Sequence, residues 1–163
     1  MGKWFNVIKD SEYLKEFMEM FSAFHDYRIE KIIFDASQNQ VDVVLEYDVP
    51  NYEKVLLRFN EISAININTN IDYGAGWLSG TEILLTDNYN LIWCSDEGYS
   101  VEEIREVKYL TWIEAGRICF ALLDKDGTLV EFPDSYLHQT WQVLNYQTMK
   151  YEEIHKDFRV FEL

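Results

Sequence analysis

Two stretches, Ser11-Glu-Tyr-Leu-Lys-Glu-Phe-Met-Glu-Met-Phe-Ser-Ala-Phe24 and Val41-Asp-Val-Val-Leu-Glu-Tyr-Asp-Val49, run in different periods, and that change decides the fold. In the first, Leu14, Phe17, Met18 and Phe21 recur at i, i+3, i+4 and i+7, with Glu12, Lys15, Glu16 and Glu19 on the other side. That is an amphipathic helix whose apolar stripe must lie on a sheet. Asp10 or Ser11 can accept hydrogen bonds from its free first-turn N–H groups, and Asp10 and Glu12 suit the positive end of the helix dipole. In the second, Val41, Val43, Leu45, Tyr47 and Val49 alternate with Asp42, Glu46 and Asp48, interrupted only by Val44. Period two marks a half-buried strand, and Pro50, which has no N–H to donate, ends it.

Strand-like runs continue outward from there. Arg28 to Ala36 divides Ile29, Ile32, Ile33 and Phe34 between two faces, so both are expected to be partly covered. It is joined to Val41 by loop residues Ser37 to Gln40. Val55, Leu57 and Phe59 form one face of the next run; Ile65, Ile67, Thr69 and Ile71 alternate with polar residues in a separate one. Glu82 to Leu85 and Leu91 to Cys94 predict a hairpin. Asp96 to Val107 is an acid-rich connection with one or two helical turns at Val101 to Val107. Lys108 to Ile113 and Arg117 to Leu123 are two further strands, with Gly116 a bulge or turn between them. Asp124-Lys-Asp-Gly127 is the strongest turn, with Gly127 free to take the left-handed conformation before Thr128 to Phe132 returns. Phe158 to Leu163 adds a last strand. Helical segments do not alternate with strands, so the expected class is α+β, predominantly antiparallel β. An N-terminal amphipathic helix packs on a multi-stranded sheet or sandwich, in a single domain over residues 1–163.

Acidic side chains number 29 against 14 basic ones, a formal charge of −15, yet 48% of residues are hydrophobic and 16% aromatic. So much apolar matter predicts an ordered chain. The acid is spread along the sequence: residues 1–82 carry 7 basic and 14 acidic groups, and residues 83–163 carry 7 and 15. Such a surface repels phosphate backbones and anionic lipids and attracts basic proteins. The expectation is therefore a basic protein partner, with no nucleic acid and no membrane. Cys94 and Cys119, each inside an apolar run, are expected to be core thiols in a reducing compartment, although their spacing leaves a bridge open. Residues 1–10 lack the apolar stretch of a secretion signal, and no 18-residue apolar window occurs, which predicts a cytoplasmic protein.

Catalytic parts are missing from the sequence. His25, His138 and His155 are far apart and none sits in a paired-ligand spacing, so no metal and no cofactor is expected. Asp124, Asp126 and Gly127 lack the remaining positions of a calcium loop. The glycine-rich segment 73–80 lacks the Lys-Ser or Lys-Thr of a phosphate loop. Its Trp77 is either presented on a rim as a contact or folded back into the core. No Gly-x-Ser-x-Gly elbow appears, and neither cysteine carries a catalytic signature. At the helix-to-strand junction, Asp26 can hold the His25 imidazole in one tautomer. This is a general-base fragment without a nucleophile, and its reading is a polar structural corner.

Phe24-His-Asp26, followed by Ile29-Glu-Lys-Ile-Ile-Phe-Asp35 and strands at Val41 to Tyr47 and Val55 to Ile62, resembles small uncharacterised bacterial β-rich proteins. Some of these are grouped with the immunity proteins of polymorphic toxin systems. The resemblance covers residues 20–70 and implies a related fold and a binding role, with no catalytic residues. Two functions follow. One is a non-catalytic acidic module that neutralises a basic partner such as a nuclease toxin, through Trp77 and the acids Glu102, Glu103 and Glu106. The other is a ligand-binding or enzymatic β domain whose aromatic pocket is lined by Trp93, Trp112 and Trp141. A homo-oligomer formed through an exposed sheet face or edge is a third arrangement.

Overall fold

Helix α1 spans Ser11–Met20 and begins as its sequence dictates, with the Asp10 side chain accepting from the Tyr13 N–H at 2.9 Å. In the computed structural model, residues 2–47, 53–69 and 77–163 are described. Leu14, Phe17, Met18 and Phe21 are buried, and Phe17 lies with its ring centroid 4.9 Å from that of Phe120 in the sheet. The predicted stripe is core.

The strands beneath it are β1 (Trp4–Asn6), β2 (Tyr27–Asp35), β3 (Gln40–Tyr47), β4 (Lys54–Asn66), β5 (Glu82–Leu85), β6 (Leu91–Cys94), β7 (Trp112–Leu123), β8 (Leu129–Val130) and β11 (Phe161–Glu162). All pair antiparallel, in the order β11-β1-β7-β4-β3-β2. Strand β7 is the axis. One edge takes β4 along its whole length, and the other is shared by β6, β1 and β8 in turn. The β3 alternation holds: Val41, Val43 and Leu45 are fully buried toward α1, while Val44 turns to the opposite face and packs with Leu56 and Leu123. Two-sided cover was expected for β2, but Ile33 and Phe34 stand 49% and 59% exposed because β2 is the sheet's edge.

Two expected breaks do not occur. The runs read separately at Val55 to Phe59 and at Ile65 onward are one strand, β4, carried through a bulge between Ile62 and Ala64 with Glu61 at φ 57°. Beyond the bulge Ile65 pairs with Ile113 of the main core, yet Ile65 and Ile67 stand 38% and 43% exposed. Across from it, Gly116 does not divide β7. It lies beneath Glu61, where an added Cβ would come within 2.9 Å of the Glu61 Cβ. Glycine there admits the bulged partner.

The Asp124 turn forms as expected. Gly127 sits at φ 84°, and the Asp124 carboxylate accepts from the Asp126 and Thr128 N–H groups at 2.9 Å each. Helix α2 spans Val101–Glu106 behind a Ser100/Glu103 capping box, and α3 is a single turn, Asp134–Leu137. Not anticipated was a separate ribbon of β9 (His138–Asn145) and β10 (Lys150–Asp157), paired only with each other. Cys94 and Cys119 are buried and free. Cys94 pairs with Trp112, and Cys119 lies seven positions further along the same strand. At about 3.3 Å per residue, that is far beyond disulfide reach. No helix among the described residues is long and apolar enough to cross a membrane. Val49 and Pro50, and the glycines preceding Trp77, lie outside the described residues.

Candidate functional site

Where α1 ends, the chain must reverse sharply into β2 while burying Phe21 and Phe24. It does so in left-handed backbone: Ser22, Ala23 and Phe24 have φ of 52°, 53° and 57°, and Asp26 follows at 66°. Left-handed L-residues cost roughly 1–2 kcal/mol each. The offset comes from Phe24, fully buried and stacked on Phe21 with centroids 5.1 Å apart, and from the segment 77–81. That segment docks through three backbone bonds: Thr81 N–H to Ala23 C=O at 2.7 Å, Asp26 N–H to Leu78 C=O at 3.0 Å, and Leu78 N–H to Tyr27 C=O at 2.6 Å. His25 Nδ1 lies 3.1 Å from Asp26 Oδ2, with both side chains more than half exposed. Trp77 does not fold into the core. It bridges to Arg28, whose guanidinium sits 5.5 Å from its ring centroid, and remains 50% exposed.

Beyond Trp77 the same segment leads into an acidic rim. Ser79 Oγ reaches Asp96 Oδ1 at 3.5 Å, and Glu82 accepts from the Gly98 N–H at 3.1 Å. Ser100 then starts α2, which turns Ile104 into a small core with Ile92, Cys94, Leu110 and Trp112 and leaves Glu102, Glu103 and Glu106 exposed. Burial pushes the Cys94 thiol up to about 11 against the Asp96 backbone hydrogen bond, with the charges of Asp96 and Glu82 adding to the rise, so this thiol is no nucleophile at neutral pH. Residues 82–106 hold seven carboxylates and one cation, Arg105. That cation is turned inward, its Nε 2.9 Å from Glu114 Oε1, and it holds the Glu114 carboxyl below its ordinary range against the opposing effect of burial. Among the described residues, Glu82, Asp96, Glu97, Glu102, Glu103 and Glu106 form no ion pair. The lysines and arginines that do pair serve α1 and the sheet: Arg28 with Glu46, Lys54 with Glu30, Arg58 with Asp42, Arg159 with Glu16 and Lys156 with Glu19.

Two tyrosines flank α2, and sequence reading passed over them although their position around the acid cluster was visible. Tyr99 and Tyr109 join hydroxyl to hydroxyl at 3.0 Å, and Tyr109 is 60% exposed. The hydrogen bond from Tyr109 pushes the Tyr99 phenol up to about 12.

A separate cleft of about 670 Å³ lies between the corner and the base of the ribbon. Its walls include Tyr27, Tyr47, Tyr136 and Trp141; Asp26 and Glu53 line it as well, together with His25 and His138. Among its described lining residues there is no Lys or Arg. Burial, then Tyr136, Tyr47 and Glu53, drive the Tyr27 phenol far above its ordinary range, so it stays neutral. The pocket expected from three tryptophans is otherwise corrected. Trp93 is fully buried in the main core and Trp112 in the smaller one, because both point inward from strands covered on that face. Trp141 lines the cleft. No group of three or more His, Cys, Asp or Glu able to hold a metal occurs among the described residues. Comparison with protein-family models, with curated proteins and with solved structures finds no match to this chain.

Proposed function

We propose that this protein is a non-catalytic acidic binding module that docks a basic protein, in the manner of an immunity protein, on the rim from Trp77 to Glu106. The supporting observation is the partition of charge: the lysines and arginines that form ion pairs neutralise carboxylates of the sheet and α1, and among the described residues six rim carboxylates form none. Such a surface repels itself until a cationic face covers it. Trp77, Tyr99 and Tyr109 are the aromatic anchors, and the carboxylates steer the encounter.

The test is binding of the full chain to the basic proteins encoded beside its gene, at low and high salt. Glu102→Gln, Glu103→Gln and Glu106→Gln together keep the capping box, since Gln serves at its third position. Association with the triple variant is expected to slow about tenfold and to lose its salt dependence. Absence of salt-sensitive binding by the natural chain sinks the reading.

A second reading is favoured by the cleft. Aromatic walls, two carboxylates and no Lys or Arg among the described lining residues suit an organic ammonium or guanidinium group, with Lys156 4.7 Å from the Trp141 ring centroid as the competing cation. Amide shifts around Tyr136 and Trp141 on titration with such cations, lost in Trp141→Ala, support it; shifts spread over the whole acidic surface do not.

A further inference from the structure

We infer that strand β10 is the edge along which two copies of this chain pair. Neither β9 nor β10 pairs with any other described strand, and nearly every residue of β10 is exposed, Tyr151 at 70% and Ile154 at 38%. A two-stranded ribbon is marginal alone and its open edge is a template for another strand.

The charge order of β10 selects its own copy as that strand. A twofold contact requires a surface complementary to itself. Tyr151-Glu-Glu-Ile-His-Lys-Asp157 reads acid, acid, Ile154, then His and Lys. Laid antiparallel on a second copy with the dyad at Ile154, Glu152 faces Lys156, Glu153 faces His155, Tyr151 faces Asp157, and Ile154 meets itself. Moving the dyad one residue sets Glu153 or His155 against its own copy. Opposite charges directly across a ladder stabilise it and like charges destabilise it, so register and partner are specified together. Net charge agrees. Residues 138–157 carry two lysines and three carboxylates, a balance of −1 within a chain of −15, so two copies meet here with little repulsion. Within one copy, Lys156 Nζ already touches Glu19 at 2.8 Å, and Glu152 accepts from Asn145 at 2.8 Å.

Sedimentation velocity of the full chain over a wide concentration range tests this. The expected species is twice the 19.4 kDa chain mass. Glu152→Lys, which sets lysine against Lys156 of the other copy, is expected to weaken association at least tenfold. Adding Lys156→Glu restores the complement; Glu19→Lys is included so that position 156 keeps its counter-ion within the chain. Circular dichroism confirms that each variant is folded. A natural chain that stays monomeric throughout, a single variant that dimerises unchanged, or a folded restored variant that does not dimerise each overturns the inference.

Discussion

The rim at residues 77–106 and the ribbon at residues 138–157 are both exposed, yet they are built on opposite plans. The rim has a core of its own: Ile104, fully buried, fastens α2 over Ile92, Cys94 and Trp112, and among the described residues its carboxylates form no ion pair. The ribbon has almost no buried side chain, but its polar groups are engaged, with His138 Nδ1 2.8 Å from Asp157, His155 hydrogen-bonded to Thr140, and Lys156 on Glu19. Rigid scaffold with uncompensated charge suits a foreign partner of opposite sign. A pliant edge with internally balanced charge suits a twin. Exposure alone distinguishes neither.

The sharpest way to break this contrast is to make one change in both places. Ile104→Ala should cost about 2–5 kcal/mol in denaturant unfolding, while Ile154→Ala, cross-strand from Trp141, should cost about 1 kcal/mol or less in dilute protein. Equal losses would mean that the ribbon is as firmly held as the rim. Next in size, Gly116→Ala forces a Cβ against the Glu61 side chain, its Cβ included, and should cost about 1–3 kcal/mol, the strain falling in the sheet's bulge and neither in rim nor ribbon. Amide exchange should accelerate around residues 60–64 and 114–117 first. Ser100→Ala removes one half of the capping box and should cost about 1 kcal/mol, with faster exchange confined to α2.

The smallest effect is a titration. The Tyr99 phenol, pushed up to about 12 by Tyr109, should fall toward its ordinary value in Tyr109→Phe, as read from labelled tyrosine resonances. The sign is that of a group raised on folding: its contribution is present below the unfolded value near 10 and fades as the pH climbs through about 12. An unchanged titration would remove the hydroxyl pair from the rim.

Regions where local chemistry and burial agree were legible from residues alone. Asp10 with its apolar stripe, the 82–94 hairpin, the Asp124 turn and the short helix at Val101 each carry a local signal strong enough to specify itself, and the antiparallel α+β class followed from their order. The continuity of β4 was not legible, because at the bulge Glu61 and Ser63 stand where the alternation calls for apolar residues, and so it looks like a break. The ribbon escaped for a related reason: with little to bury, it needs no period, and its turn uses Met149 at φ 56° and the Asn145 carboxamide in place of glycine. Of the candidate site, the acids Glu102, Glu103 and Glu106 were plain from composition. The separation of paired from unpaired carboxylates depends on which arginine reaches which strand, and only the tertiary structure sets that.

The left-handed corner also bears on when the chain can finish folding during synthesis. Its unfavourable backbone is held by hydrogen bonds to residues more than fifty positions downstream, and the sheet that backs it waits for β7. A nascent chain that has delivered α1, β2 and β3 thus holds a helix and a hairpin whose connection has no reason yet to bend. Until Thr81 and then Phe120 leave the ribosome, Phe21 and Phe24 have each other and Phe17 but not the sheet that buries them.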